Sequence, residues 1–69
     1  MSASIKQIAE RIREIREDCD LTVADAARQL GITAETYRQY ENGITDIPVS
    51  MLYQMTKIFS VDLTELLTG

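Results

Sequence analysis

The sequence predicts an all-α domain of five short helices around one core. Isoleucines at positions 5, 8, 12 and 15 recur at spacings of 3, 4 and 3, the period of one helix face. Cap residues and stops divide the rest of the chain, with Ser4, Thr22, Thr33, Ser50 and Asp62 at starts and Gly31 and Gly43 at ends. No stretch alternates apolar and polar residues long enough to make a strand.

The first helix is expected over roughly 5–18, opened by a Ser4–Gln7 capping box. Its outer face carries Lys6, Glu10, Arg13, Glu14 and Glu17, and Asp20 is suited to a left-handed residue past its end. Thr22 with Asp25 opens a second helix, whose apolar side is Val23, Ala26, Ala27 and Leu30 and whose stop is Gly31. Thr33 opens a third. Tyr37 and Tyr40 form its inner side; Ala34, Glu35, Thr36, Arg38 and Gln39 form its outer side; Asn42-Gly43 closes it. After a loop from Ile44 to Pro48, Ser50 is the expected cap of a fourth helix with Leu52, Met55, Ile58 and Phe59 inward. Asp62 and Glu65 open a last short helix carrying Leu63, Leu66 and Leu67.

Sixty-nine residues make one domain, 1–69, with a small core. The composition, 45% hydrophobic and 26% charged, is that of a folded chain. Trp is absent, which predicts a mostly aliphatic core. One cysteine allows no internal disulfide, and no apolar run reaches the ~20 residues of a membrane span. With no signal-peptide core behind Met1, the expected location is the cytoplasm. The single Cys19 reads as a half-buried small residue. Histidine is absent, and the carboxylates are scattered over helix surfaces. No metal site, cofactor or catalytic residue is expected. The net charge of −4 opposes nucleic-acid binding, although placement of the seven basic residues matters more than their sum.

The sharpest signal is the pair 22–30 and 33–41, joined by a short turn containing Gly31. Ala27 is small where the helices cross, and Ile32 plugs the corner. Such a pair holds its second helix outward, as entry into a major groove requires. The stretch Ala26-Ala27-Arg28-Gln29-Leu30-Gly31-Ile32-Thr33, then Tyr40-Glu41-Asn42-Gly43, resembles the phage repressor/Cro/Xre family of helix-turn-helix domains. So do Arg13-Glu14-Ile15-Arg16-Glu17 and Val61-Asp62-Leu63-Thr64-Glu65-Leu66-Leu67, which extends the likeness over about 8–69. The resemblance implies a lambda-repressor-like five-helix fold that binds double-stranded DNA with helix 3 in the major groove. It implies a homodimer in a bacterial transcription regulator. The second half is similar to regulators in which this domain precedes a cupin effector domain, so a C-terminal cupin outside this chain is expected.

Carried over position by position, the resemblance makes Arg16 and Glu41 a partly buried structural ion pair. Thr33 is the cap of the recognition helix and a phosphate ligand. Ala34, Glu35 and Gln39 fall on base-reading positions, where Ala can touch a thymine methyl, Glu can accept from cytosine and Gln can bond adenine. Thr36 and Arg38 fall beside phosphate or flanking bases, and Asn42 and Thr45 in a phosphate-contacting loop. Two departures weaken the pattern: Val23 stands where a phosphate-gripping Gln is common, and Asp46 lies in a loop that is often basic. These departures and the acidic balance support an alternative, a protein-interaction module that kept the fold. Gathering of Arg11, Arg13, Arg28 and Arg38 beside helix 3 separates the two. Met51, Tyr53 and Leu67 are the expected apolar dimer surface.

Overall fold

The computed structural model describes residues 4–68. They form α1 (Ile5–Asp18), α2 (Val23–Leu30), α3 (Ala34–Glu41), α4 (Val49–Phe59) and α5 (Leu63–Thr68). The main helix contacts run α1 to α3, α3 to α2, α2 to α4, α4 to α5 and α5 back to α1, a ring around one core. That core holds Ile12, Ile15, Ala26, Ala27, Tyr37, Tyr40, Leu52, Met55, Phe59 and Leu66. It is less aliphatic than composition suggested, because Tyr37, Tyr40 and Phe59 fill its centre.

The starts of α1 and α2 form reciprocal capping boxes. Gln7 N–H donates to Ser4 Oγ while Ser4 N–H donates to Gln7 Oε1, and Thr22 and Asp25 do the same. The Thr22 bonds, then Arg28, hold the half-exposed Asp25 carboxyl below its ordinary ionisation range. At α4 the expected cap fails. The helix begins at Val49 with Pro48 in the cap position, and Ser50 lies inside the first turn. The ring of Pro48 pre-sets φ at −58° there, and its carbonyl accepts from the N–H of Leu52. At α5, Asp62 N–H donates to Glu65 Oε1, one half of the expected box.

Four helix ends share one device. Asp20, Gly31, Gly43 and Ser60 all have left-handed backbone. The next residue's N–H then reaches back five positions: Leu21 to Arg16, Ile32 to Ala27, Ile44 to Gln39 and Val61 to Thr56. Each bond satisfies a carbonyl the helix leaves open and turns the chain sharply. Gly31→Ala should cost about 1–2 kcal/mol from φ alone, because an added methyl meets open space. Gly43→Ala should cost more, since its methyl would also press on Lys6 Cγ at 3.2 Å. Ser60→Gly should gain up to about 1 kcal/mol by removing the same backbone penalty. Urea midpoints of the three variants check this order.

Candidate nucleic-acid interface

Two buried tyrosines and one ion pair seat α3. Tyr37 and Tyr40 fix its inner side in the core. At its last residue, Glu41 receives Arg16 of α1 through Nε at 2.7 Å and Nη2 at 3.2 Å. Two guanidinium N–H groups each meet one carboxylate oxygen, the bidentate and strongest form of such a pair. The third Arg16 nitrogen, Nη1, donates to the Leu21 carbonyl at 2.7 Å and ties in the α1–α2 turn. Both side chains are nearly covered, at 11% and 6% exposure. The Glu41 bond raises the Arg16 ionisation further, against the opposing effect of burial.

The Tyr37 hydroxyl lies beside this pair. It is buried, and no hydrogen bond of acceptable geometry reaches it. Burial first, then the Glu41 carboxylate, push its ionisation well above the ordinary value of 10.0. The folded state therefore keeps a proton that the unfolded chain releases. The Tyr37 contribution is complete below about pH 10 and falls as pH rises further, by up to about 1.4 kcal/mol per pH unit. Tyr37→Phe should alter stability at pH 7 by less than about 1 kcal/mol and should flatten the alkaline limb. Thermal midpoints of both proteins between about pH 9 and 11.5 check the sign.

The start of α3 is set by Thr33. Its Oγ1 accepts from Thr36 N–H at 3.1 Å and donates to Thr36 Oγ1 at 2.9 Å. Outward from α3 project Glu35, Arg38 and Gln39, and Asn42 continues that stripe one turn past Arg38. Thr33 and Thr45 are exposed at its two ends. Ala34 and Thr36 depart from the expected outer face. Ala34 is half-buried and packs on the core, being three positions from Tyr37 and so on its side of the helix. Thr36 is half-buried with its hydroxyl committed to Thr33. The polar stripe is thus narrower than the sequence suggested.

The basic residues are dispersed. Arg11 Nε donates to the Glu65 carbonyl at 2.9 Å and is held at the α1–α5 junction. Arg28 pairs with Asp25 at 3.2 Å on the surface of α2. Lys57 lies 4.7 Å from the centre of the Tyr53 ring. Arg38 is exposed on α3 itself, and Arg13 is exposed on α1. The full gathering of Arg11, Arg13, Arg28 and Arg38 does not occur. Lys6, expected only on the outer face of α1, lays its stem against Gly43 at the far end of α3. No local signal marks that contact.

Other exposed features lie on α4 and the loop before it. Ile44, Val49 and Tyr53 are exposed by 71%, 75% and 56%, whereas Met51 and Leu67 are half-buried. Cys19 is exposed, not half-buried, with its thiol 3.7 Å from the Phe59 carbonyl. Among the described residues no group of three His, Cys, Asp or Glu could hold a metal ion. No helix among them is long and apolar enough to cross a membrane.

Comparison with known proteins agrees with this architecture. A helix-turn-helix family model matches residues 12–66. A protein of Archaeoglobus fulgidus, named as a candidate HTH-type transcriptional regulatory protein, is 41% identical over 54 residues. The match covers 78% of this chain but 17% of that protein, so the chain spans under a fifth of that relative's length. The restriction-modification controller protein C.AhdI from Aeromonas hydrophila superimposes with a TM-score of 0.85 at 18% identity, covering 90% of each chain. Hydroxypropylphosphonic acid epoxidase from S. wedmorenis gives 0.85 at 24% identity, covering 96% of this chain and 35% of the epoxidase. Both likenesses are of fold. With five helices in this order, the α2–α3 pair at their centre and the family model spanning most of the chain, the protein belongs to the Xre/lambda-repressor-like helix-turn-helix family.

Proposed function

We propose that this domain binds double-stranded DNA with α3 in the major groove, as the DNA-binding part of a transcription regulator. The observation that carries the reading is the exposed stripe Glu35, Arg38, Gln39 and Asn42 on a helix seated by Tyr37, Tyr40 and the Arg16–Glu41 pair. Gln39 is the candidate adenine reader and Glu35 the cytosine reader; Ala34 reaches a thymine methyl only with its partly exposed surface. Thr33, Arg38, Asn42 and Thr45 face the phosphates, and Thr36 acts through Thr33. The regulator-type relative supports the assignment.

A single domain with net charge −4 and few free cations binds weakly. A homodimer raises affinity by presenting two recognition helices, and the exposed Val49 and Tyr53 one turn apart on α4 offer its apolar contact. The expected cupin partner domain fits the small share of its relatives that the chain occupies. Location in the cytoplasm follows from the DNA-binding role. The test is a titration of the domain into duplex DNA at about 50 mM salt, where phosphate attraction is strong. Binding that weakens steeply with salt is the expected result; absence of binding there contradicts the reading.

The rival reading, a protein-interaction module, draws on the capture of Arg11, Arg16 and Arg28 by intramolecular partners. Under it, substitutions at Arg38 and Gln39 leave any residual DNA affinity untouched.

A further inference from the structure

The turn after α3 has no cation of its own. It reads Asn42-Gly43-Ile44-Thr45-Asp46-Ile47, and its only charge is negative. The stem of a lysine nevertheless lies beside it, delivered by another element. A β-carbon built on Gly43 would lie 3.2 Å from Lys6 Cγ and 3.4 Å from Lys6 Cα. The bare glycine is what lets the first turn of α1 approach the end of α3 so closely. Lys6 is exposed, and its ammonium makes no ion pair among the described residues. In this it differs from Arg16 and Arg28, which are paired, and Arg11, which is bound to a carbonyl.

In the duplex-binding reading the N-terminal residues of α3 meet base edges. The last turn of this eight-residue helix and the turn after it are then left toward the sugar–phosphate backbone. We propose that Lys6 supplies the phosphate contact there, forming with Asn42 and Thr45 a binding edge for one backbone phosphodiester. The inference rests on the duplex-binding reading above. A lysine suits the task, being a compact charge on a flexible stem that makes no demand on base identity. Asp46 in the same turn and Glu10 one turn further along α1 limit the positive edge to a single phosphate.

The test is equilibrium binding of the 69-residue chain to a mixed-sequence duplex of about 20 base pairs, from about 50 to 200 mM salt. Lys6→Gln should weaken binding about threefold to tenfold and lower the slope of log K against log salt by about 0.9. Lys57→Gln makes the same change of net charge on α4 and should leave the slope unchanged. Equal effects of both substitutions overturn the proposal, because the charge would then act as a distant field. Superimposed curves for wild type and Lys6→Gln overturn it while the duplex reading stands. No binding by the wild type removes the duplex reading and the Lys6 contact together. Unaltered thermal unfolding of Lys6→Gln, expected for an exposed side chain, excludes a folding defect as the cause.

Discussion

Arg16→Ala is expected to destabilise the domain by about 3 kcal/mol or more, the cost of leaving a nearly buried charge without its partner. The substitution strands the Glu41 carboxylate at 6% exposure and frees the Leu21 carbonyl together. A chain this small has a total stability of only about 3–10 kcal/mol at typical values per residue. The midpoint of thermal unfolding should therefore fall by roughly 12 °C or more. Glu41→Ala should cost somewhat less, for the guanidinium keeps its bond to the Leu21 carbonyl. The double variant Arg16→Met, Glu41→Leu should recover much of the loss, because it removes both charges and fills the space. Strong non-additivity in that cycle, read by urea unfolding, identifies the pair as one unit. Two independent losses that simply add would show that each residue acts alone.

Gln39→Ala and Arg38→Ala should each weaken duplex binding by about 1–3 kcal/mol, roughly fivefold to 150-fold. Their signatures differ. Gln39 lacks charge, so its removal should lower affinity for the preferred sequence and relax the choice at one base pair, with the salt slope intact. Arg38 carries charge, so its removal should weaken all sequences alike and lower the slope by about 0.9. Both side chains are exposed, so both variants should keep the wild-type unfolding midpoint. Paired titrations of preferred and scrambled duplexes separate the two effects. A protein-interaction module would show neither.

Local rules made most of the helix boundaries legible. Ser4, Thr22 and Thr33 cap where the sequence placed them, because each bond closes within three residues. Asp20, Gly31 and Gly43 take left-handed backbone as their residue types allow. Ser60 does the same without a type preference to announce it; the apolar Val61 behind it is pulled inward and sets the turn. Pro48 displaced Ser50 as the start of α4: its ring fixes φ in the cap position, and its carbonyl takes the first helical bond from Leu52 without any side-chain bond. The inner position of Ala34 follows from its spacing to Tyr37, yet its small size hides it in a pattern of large apolar residues. Contacts between distant segments had no local signal. The approach of Lys6 to Gly43 depends on how α1 crosses α3, and the Arg11 bond to Glu65 on how α1 meets α5. The match of Arg16 with Glu41 was legible through family resemblance, not through spacing.

In the duplex-binding reading the outward stripe of α3 meets the DNA. Backbone amide shifts of the nitrogen-15-labelled chain, followed by NMR during titration with duplex DNA at about 50 mM salt, test it residue by residue. Saturable shifts concentrated from Thr33 to Thr45, with a smaller set at the start of α1, are the expected result. Shifts confined to α4 and α5, or none that saturate, would contradict that reading.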